Sequence, residues 1–319
     1  MKEKCQRRKK MTRIFLCLAM MLACSLMLST QKASAKTNEE GVVIHNGVIG
    51  NVKITTHRGA NSSSLYVTNL KTKKKVKLAV GELGLGVAVA NDNIYYVLDG
   101  ALYENSGTEK KNARKLDQEI KSDNDSGMNI LACKAGALYY CKAADAQYKK
   151  LNVYRYQLAT GRKNICYTDT FSYEFNLDVY QNYQYAYCQP TEVGSGYTLK
   201  VQKLSSAQNK KTAATKIAKN VYGHTYYKNS IYYAVVNEKS GKVTYYKTPL
   251  NGKKKKVVAS LNYLKLAKKN QKNFESAFYG PVTMTSKKAK FKVYISKGTS
   301  NQAYTYSIDF KSGKVVVEK

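Results

Sequence analysis

Short runs in which apolar and polar residues alternate, each closed by a polar turn, recur along the chain from residue 41 to its end. Alternation of period two is the mark of a half-buried strand. The strongest of these runs is rich in tyrosine and comes back as Ile94-Tyr95-Tyr96-Val97, Leu138-Tyr139-Tyr140-Cys141, Tyr185-Ala186-Tyr187-Cys188, Ile231-Tyr232-Tyr233-Ala234 and Val293-Tyr294-Ile295. Each has a downstream partner: Leu102-Tyr103, Val153-Tyr154-Arg155-Tyr156, Leu199-Lys200-Val201, Val243-Thr244-Tyr245-Tyr246 and Tyr304-Thr305-Tyr306, with Leu65-Tyr66-Val67 from an earlier, weaker unit. A third element then follows a polar turn, as in Val76-Lys77-Leu78, Val257-Val258-Ala259 and Val315-Val316-Val317. The anchors step by 44 (Tyr95 to Tyr139), 46 (Tyr139 to Tyr185) and 47 (Tyr185 to Tyr232) residues, room for four short strands per repeat.

The fourth strand of each repeat is expected just before the tyrosine-rich one, at 85–90, 128–133, 174–180, 221–227 and 278–285. Six units result. An isolated four-stranded sheet leaves two apolar faces in water, and radial stacking buries both, so the predicted fold is all-β, a six-bladed β-propeller of four-stranded antiparallel blades closing into a wheel. A parallel solenoid fits the turns at Asn251-Gly252 and Ser312-Gly313 less well. The longest step contains 261–274, whose Leu261, Leu264 and Ala267 predict a short rim helix. Composition agrees: 28 Tyr, 20 Gly and only three Pro favour strands, and 43% hydrophobic residues can build a core.

The stretch Ile231-Tyr232-Tyr233, Thr244-Tyr245-Tyr246-Lys247 and Leu250-Asn251-Gly252-Lys253 resembles the repeat of a bacterial extracytoplasmic β-propeller family of unknown function. That family is itself similar to the six-bladed propellers of low-density lipoprotein receptors. The resemblance covers 85–319 loosely and 221–260 best. Receptor propellers carry Tyr-Trp-Thr-Asp, whereas this chain has no Trp. It implies a propeller fold and an extracytoplasmic place, and no particular reaction.

The beginning of the chain is of another kind. Lys2, Lys4, Arg7, Arg8, Lys9, Lys10 and Arg13 precede an apolar run over 14–28, and small Ala33 and Ala35 then suit a signal peptidase. Residues 1–35 are therefore predicted to be an export signal, 36–40 a short linker and 41–319 the propeller domain. The run is shorter than the roughly 20 residues of a spanning helix, so the mature chain is expected to carry no transmembrane helix. The alternative is a lipoprotein anchored at Cys24.

Charge adds a second expectation. The sequence holds 54 Lys plus Arg against 21 Asp plus Glu, a formal +33, more than solubility requires. The lysines concentrate in the turns before the outer strands: Lys71, Lys73, Lys74 and Lys75; Lys210 and Lys211; Lys253, Lys254, Lys255 and Lys256. In a propeller these turns share one face, which predicts a positive annulus for an anionic cell-wall polymer, a lipid headgroup or a glycan, or for another envelope protein. Lysine is also the usual guard of an exposed strand edge. Nucleic acid is an unfavoured partner, since export and the scarcity of Arg both oppose it.

Signs of chemistry are sparse. The three His (His45, His57, His224) lie at no metal-ligand spacing, and neither a metal nor a cofactor is expected. The glycines of 81–86 read as a bend, and 123–127 as a turn only faintly like a calcium loop. The best enzyme-like set is Glu174, Asn176 and Asp178, alternate positions of one strand, with His224 on the corresponding strand of the next unit. If they line a central channel they suit acid–base work, which keeps a glycan or lactone hydrolase or lyase as the alternative to a non-catalytic binding or scaffold protein. Cys133, Cys141, Cys166 and Cys188 remain after cleavage, either as disulfides or as buried thiols.

Overall fold

The computed structural model describes residues 40–59, 62–109, 113–118, 128–143, 150–170, 174–189, 196–204 and 214–318. The stretch expected to be an export signal, with Ala33, Ala35 and Cys24, the segment 123–127, and Lys210 and Lys211 lie outside the described residues. Among the described residues the fold is all-β apart from one short helix, and every strand pairing is antiparallel and mostly sequential.

Five sheets result. The first in sequence order holds β2 (Asn46–Ile49), β3 (Val52–Arg58), β4 (Ser63–Asn69) and β5 (Lys75–Gly81). The next holds β6 (Val87–Ala90), β7 (Asn93–Leu98), β8 (Ala101–Ser106) and β9 (Ala113–Gln118), with β1 (Gly41–Val43) added beside β6. The third holds β10 (Met128–Lys134), β11 (Ala137–Ala143), β12 (Lys150–Gln157) and β13 (Lys163–Thr170). A seven-stranded sheet follows, from β14 (Glu174–Tyr180), β15 (Tyr183–Gln189) and β16 (Tyr197–Lys203) through the long β17 (Thr215–Tyr227) to β18 (Ser230–Asn237), β19 (Lys242–Pro249) and β20 (Lys256–Asn262). The last sheet holds β21 (Ser276–Met284), β22 (Lys288–Lys297), β23 (Ser300–Asp309) and β24 (Val315–Val317). Residues 215–221 of β17 pair with β16 and residues 221–227 with β18, so one strand serves two hairpins.

The repeated tyrosines explain why sheets stack. In a Tyr-Tyr pair the two rings leave opposite faces, so Tyr95 packs among residues of β10–β12 while Tyr96 packs against β3–β5. Tyr139 and Tyr140 divide in the same way between the following and the preceding sheet. The second ring of three such pairs stacks across to the next strand, Tyr96 on Tyr103, Tyr140 on Tyr154 and Tyr233 on Tyr246, and Phe291 stacks likewise on Tyr306, with centroids 5.3–5.7 Å apart. Such pairs add roughly 0.5–1.5 kcal/mol beyond the area they bury. The next pairing is shifted by a bulge at Tyr66, Tyr103, Tyr154 and Tyr246. Ala186 and Lys200 occupy the matching register in β15 and β16, the place where the aromatic repeat lapses.

Four of the five apolar clusters join neighbouring sheets, the fifth joins the two halves of the seven-stranded sheet, and among the described residues none joins β2–β5 to β21–β24. The predicted rim helix is α1 (Tyr263–Asn270), capped by Asn262, whose Oδ1 accepts from Lys265 N at 3.0 Å, and seated through buried Tyr263 and Ala267. The first unit, expected to begin near Gly41, divides. Residues 41–43 leave the first sheet to pair with β6, and Glu40 just before them accepts the Gly136 N–H at 3.2 Å, in the β10–β11 turn. The bend at 81–86 is a tight passage: Gly86 has φ +83°, and a Cβ there would stand 2.4 Å from the Ile130 carbonyl oxygen.

Candidate functional site

Three of the basic turns share one local device. Asn69 Oδ1 accepts from Lys71 N (2.9 Å) and Thr72 N (3.1 Å) between β4 and β5, and Asn251 Oδ1 accepts from Lys253 N (3.0 Å) between β19 and β20. Asp309 Oδ1 accepts from Lys311 N (3.0 Å) and Ser312 N (2.8 Å) between β23 and β24. An Asx side chain thus fixes the backbone and a left-handed residue closes the turn: Lys73 (φ 59°), Lys254 (φ 59°) or Gly313 (φ 69°). The lysine side chains are left exposed. Two reach back over the third-strand rings, Lys75 lying 4.6 Å from the Tyr66 centroid and Lys255 5.1 Å from that of Tyr246. Lys74 meets Glu109 at 3.3 Å, an exposed ion pair worth little. Lys71, Lys73, Lys253 and Lys256 also project from these turns, so eight of the ten lysines singled out in the sequence fall on two equivalent bends.

Asp178 and His224 come together. Leu177 and Val179 of β14 enter the apolar cluster shared with β11–β13, so Asp178 and Tyr180 turn the other way, toward β17 and β18. There Tyr226 stacks on Tyr180 (4.8 Å, 13°) and lies 4.8 Å from Tyr185, while His224 sits 5.4 Å from Tyr226 and 5.1 Å from Tyr187. Tyr187 stacks on Tyr197 at 4.0 Å and donates to the Val221 carbonyl at 3.0 Å. Burial holds the His224 imidazole below its usual range, against the pull of the nearby Asp178 carboxylate. Burial and the same carboxylate push the Tyr226 phenol well up. Glu174 and Asn176 belong to β14, but their side chains lie outside the described residues. Packed rings fill this space, and a neutral imidazole beside a carboxylate is all the acid–base apparatus described in it.

A third arrangement was not visible in the sequence. Asp117 of β9 accepts from Lys142 of β11 at 2.7 Å, from Lys163 of β13 at 2.9 Å and from the Tyr140 hydroxyl at 2.7 Å. The Lys142 and Asp117 side chains are only 6% and 7% exposed, which makes this a buried ion pair rather than a surface one. Burial alone would raise the Asp117 carboxyl, but the hydrogen bonds from Lys142, Lys163 and Tyr140 outweigh it and hold the pKa below its usual value. The Lys142 ammonium also lies 4.9 Å from the Tyr154 ring centroid. The network ties one sheet to the next.

Among the described residues no three His, Cys, Asp or Glu side chains converge as metal ligands, and no helix is long and apolar enough to cross a membrane. Cys133, Cys141 and Cys166 are buried; burial pushes the Cys133 and Cys166 thiols up to about 12. The Cys188 side chain lies outside the described residues.

No family model and no curated protein matches the sequence. Solved structures do. A prolyl endopeptidase is similar over 87% of this chain at 10% identity with a TM-score of 0.51, and the chain spans 42% of that protein's length. An oligogalacturonate lyase from Vibrio parahaemolyticus is similar over 88% of this chain and 85% of its own at 11% identity, TM-score 0.45. An uncharacterized protein from Listeria monocytogenes EGD-e follows at 10% identity over 90% and 85% of the two chains, TM-score 0.44. At such identities the likeness is one of fold alone, and that fold is β-propeller-like.

Proposed function

We propose that the chain is an extracytoplasmic, non-catalytic binding or scaffold module, a six-bladed β-propeller that docks on anionic envelope polymers through its basic turns. With β1 set aside as the strand added beside β6, counting β17 once for each of its two hairpins divides β2 to β24 into six four-stranded units in sequence order. The observation that carries the binding reading is the recurrence of one Asx-fixed turn loaded with lysine, at Lys71 to Lys75, at Lys253 to Lys256, and at Lys311 with Lys314. An edge guard needs one charge; a run of four held on a defined bend supplies a field.

The test is binding to isolated cell walls as a function of salt. Affinity is expected to fall steeply as the Debye length shrinks from about 10 Å at 0.1 M toward 3 Å at 1 M, and a variant with Lys253 to Lys256 replaced by Gln is expected to lose most of the salt-sensitive part. Binding indifferent to salt, or unchanged in the variant, removes the reading. The alternative, a propeller hydrolase or lyase, is supported by the approach of Asp178 to His224; the ring packing around them is what favours the binding module over it.

A further inference from the structure

Two consecutive repeats carry an equivalent row of polar side chains across three strands, and one of the rows lacks a carboxylate. In the second sheet the row is Tyr95, Glu104 and Arg114, paired as Tyr95↔Glu104 and Glu104↔Arg114. Glu104 serves both neighbours: it accepts from the Tyr95 hydroxyl at 2.9 Å and from the Arg114 guanidinium at 2.6 and 3.1 Å. The equivalent row of the third sheet is Tyr139, Arg155 and Asn164, paired as Tyr139↔Arg155 and Arg155↔Asn164 just past the corresponding bulge. A hydroxyl, a guanidinium and an amide stand there with no carboxylate among them. Arg155 forms no ion pair among the described residues. Gln157 Oε1 accepts from Arg155 Nη2 at 2.8 Å and Gln157 Nε2 donates to the Gly136 carbonyl at 3.0 Å, which holds the guanidinium in place. Arg155 Nε and Asn164 Nδ2 are buried donors without a hydrogen-bond partner. Tyr139 is wholly buried, and its hydroxyl lies beside the guanidinium, which pulls the phenol down against the burial that raises it. From the facing sheet, Gln184 of β15 donates through Nε2 to the Cys166 carbonyl at 3.3 Å and to Gln202 Oε1 at 2.6 Å, and its own Oε1 is a buried acceptor without a donor. Cys166, two positions beyond Asn164, lies between Arg155 and Gln184 and interacts with both.

We propose that Arg155, Asn164 and Tyr139 bind a small carboxylate between the third sheet and β15, the ligand standing where Glu104 stands in the sheet before. A charged donor withdrawn from water without a counter-charge is costly, and a water molecule would satisfy its hydrogen bond but not its charge. The planar fork of a guanidinium matches a carboxylate, and Glu104 with Arg114 shows that match in this chain. Gln184 Oε1 adds a preference for a hydroxyl on the carbon next to the carboxylate, since that hydroxyl can donate to it. Access is from the side of the β12–β13 turn: Arg155, Gln157 and Asn164 are half-buried, whereas Tyr139, Cys166, Gln184 and Gln202 behind them are buried. The site uses contacts between adjacent sheets only, so it depends neither on closure of the wheel nor on the lysine-rich turns.

The experiment follows the thermal midpoint of the full mature chain against added acetate, lactate, phosphate and chloride at constant ionic strength, because a ligand that binds only the folded state raises it. Acetate is expected to raise the midpoint to a plateau, and lactate to do so at about fivefold lower concentration, the effect of one added hydrogen bond. R155Q is expected to weaken acetate binding about tenfold or more, and Y139F to weaken it several-fold with the ring packing kept. N164D sets a carboxylate beside Arg155 within the chain. It is expected to raise the midpoint in buffer alone and to abolish the response to acetate, a gain in stability that misfolding cannot mimic. The turn variant K253Q/K254Q/K255Q/K256Q is expected to respond as the unmodified chain does. A response that is absent, that never reaches a plateau or that survives R155Q overturns the site, as does an N164D chain no more stable than the unmodified one. A response lost in the turn variant places the anion on the turns and overturns it too. Equal responses to chloride, or a stronger one to phosphate, overturn the choice of a carboxylate, and lactate no tighter than acetate removes Gln184 from the site. Wall binding can fail while this response persists, so the two proposals fall separately.

Discussion

Lys142 Nζ lies 2.7 Å from Asp117 Oδ2, and both side chains are almost wholly out of water although they belong to different sheets. Lys163 and the Tyr140 hydroxyl complete the carboxylate's coordination. Desolvating two charges is offset only when geometry is good and the remaining lone pairs are used, as here.

Asp117→Ala leaves Lys142 buried without its carboxylate and is expected to destabilise the fold by about 3–5 kcal/mol, read as a lower denaturant midpoint. The pH dependence follows the sign of the shift. A carboxyl whose native pKa is depressed contributes stability above its unfolded value of about 4, and loses it as pH falls through the native pKa. Unfolding measured between pH 6 and pH 2 should therefore be less pH-dependent in Asp117→Asn than in the unmodified chain; equal slopes contradict the network.

Cys133 and Cys166 are expected to resist thiol reagents in the folded protein, because only the thiolate reacts and burial pushes both thiols up to about 12. Alkylation followed by mass spectrometry should find them labelled only in denaturant. Rapid labelling of the native chain at pH 8 contradicts their burial.

Gly86→Ala combines a left-handed backbone with a clash against the Ile130 carbonyl and is expected to cost roughly 1–3 kcal/mol. Gly107→Ala is the matched control, since its φ is also positive (+70°) but nothing stands within 4 Å of the added methyl. The two variants should differ in thermal midpoint; equal midpoints would mean that strand approach at Gly86 does not matter.

Asp178→Ala and His224→Ala separate the two functional readings. As members of a packed ring cluster they are expected to alter stability and leave wall binding within about twofold, a loss well below the 1.4 kcal/mol that a tenfold change represents. If turnover of a glycan or lactone is found, Glu174→Ala with Asp178→Ala is expected to abolish it. Turnover retained in that double variant dismisses the site.

The sheets were legible because the tyrosines report both faces of a strand at once: Tyr95 with Tyr96 and Tyr139 with Tyr140 are apolar on two sides, which only stacked sheets can satisfy. The approach of Asp178 and His224 followed from matching positions in consecutive repeats. Three features were not legible. Residues 41–43 read as the opening of the first unit, yet their pairing with β6 is non-local and leaves no periodic trace. β17 runs on through Lys219 and Asn220 to Val221, which pairs with both β16 and β18, and the Gly223 just beyond reads as a residue within one strand rather than as a break between two hairpins. Lys142 follows Tyr140-Cys141 as an ordinary solvent-side lysine would, and its burial depends on an aspartate twenty-five positions earlier in the chain.

The route of residues 40–43 sets an order of assembly. Gly41 to Val43 can dock only after β6 exists, and the Glu40 carboxylate finds the Gly136 amide only after the β10–β11 turn has formed. Gly41 to Val43 must therefore wait for β6, and the Glu40 contact for residues nearly a hundred positions downstream, so a polypeptide emerging amino end first keeps β1 unpaired until β6 is made and leaves Glu40 unplaced until the third sheet has begun. A bulky fusion placed directly before Gly41 would obstruct that late docking, whereas one attached beyond Glu318 would leave it untouched.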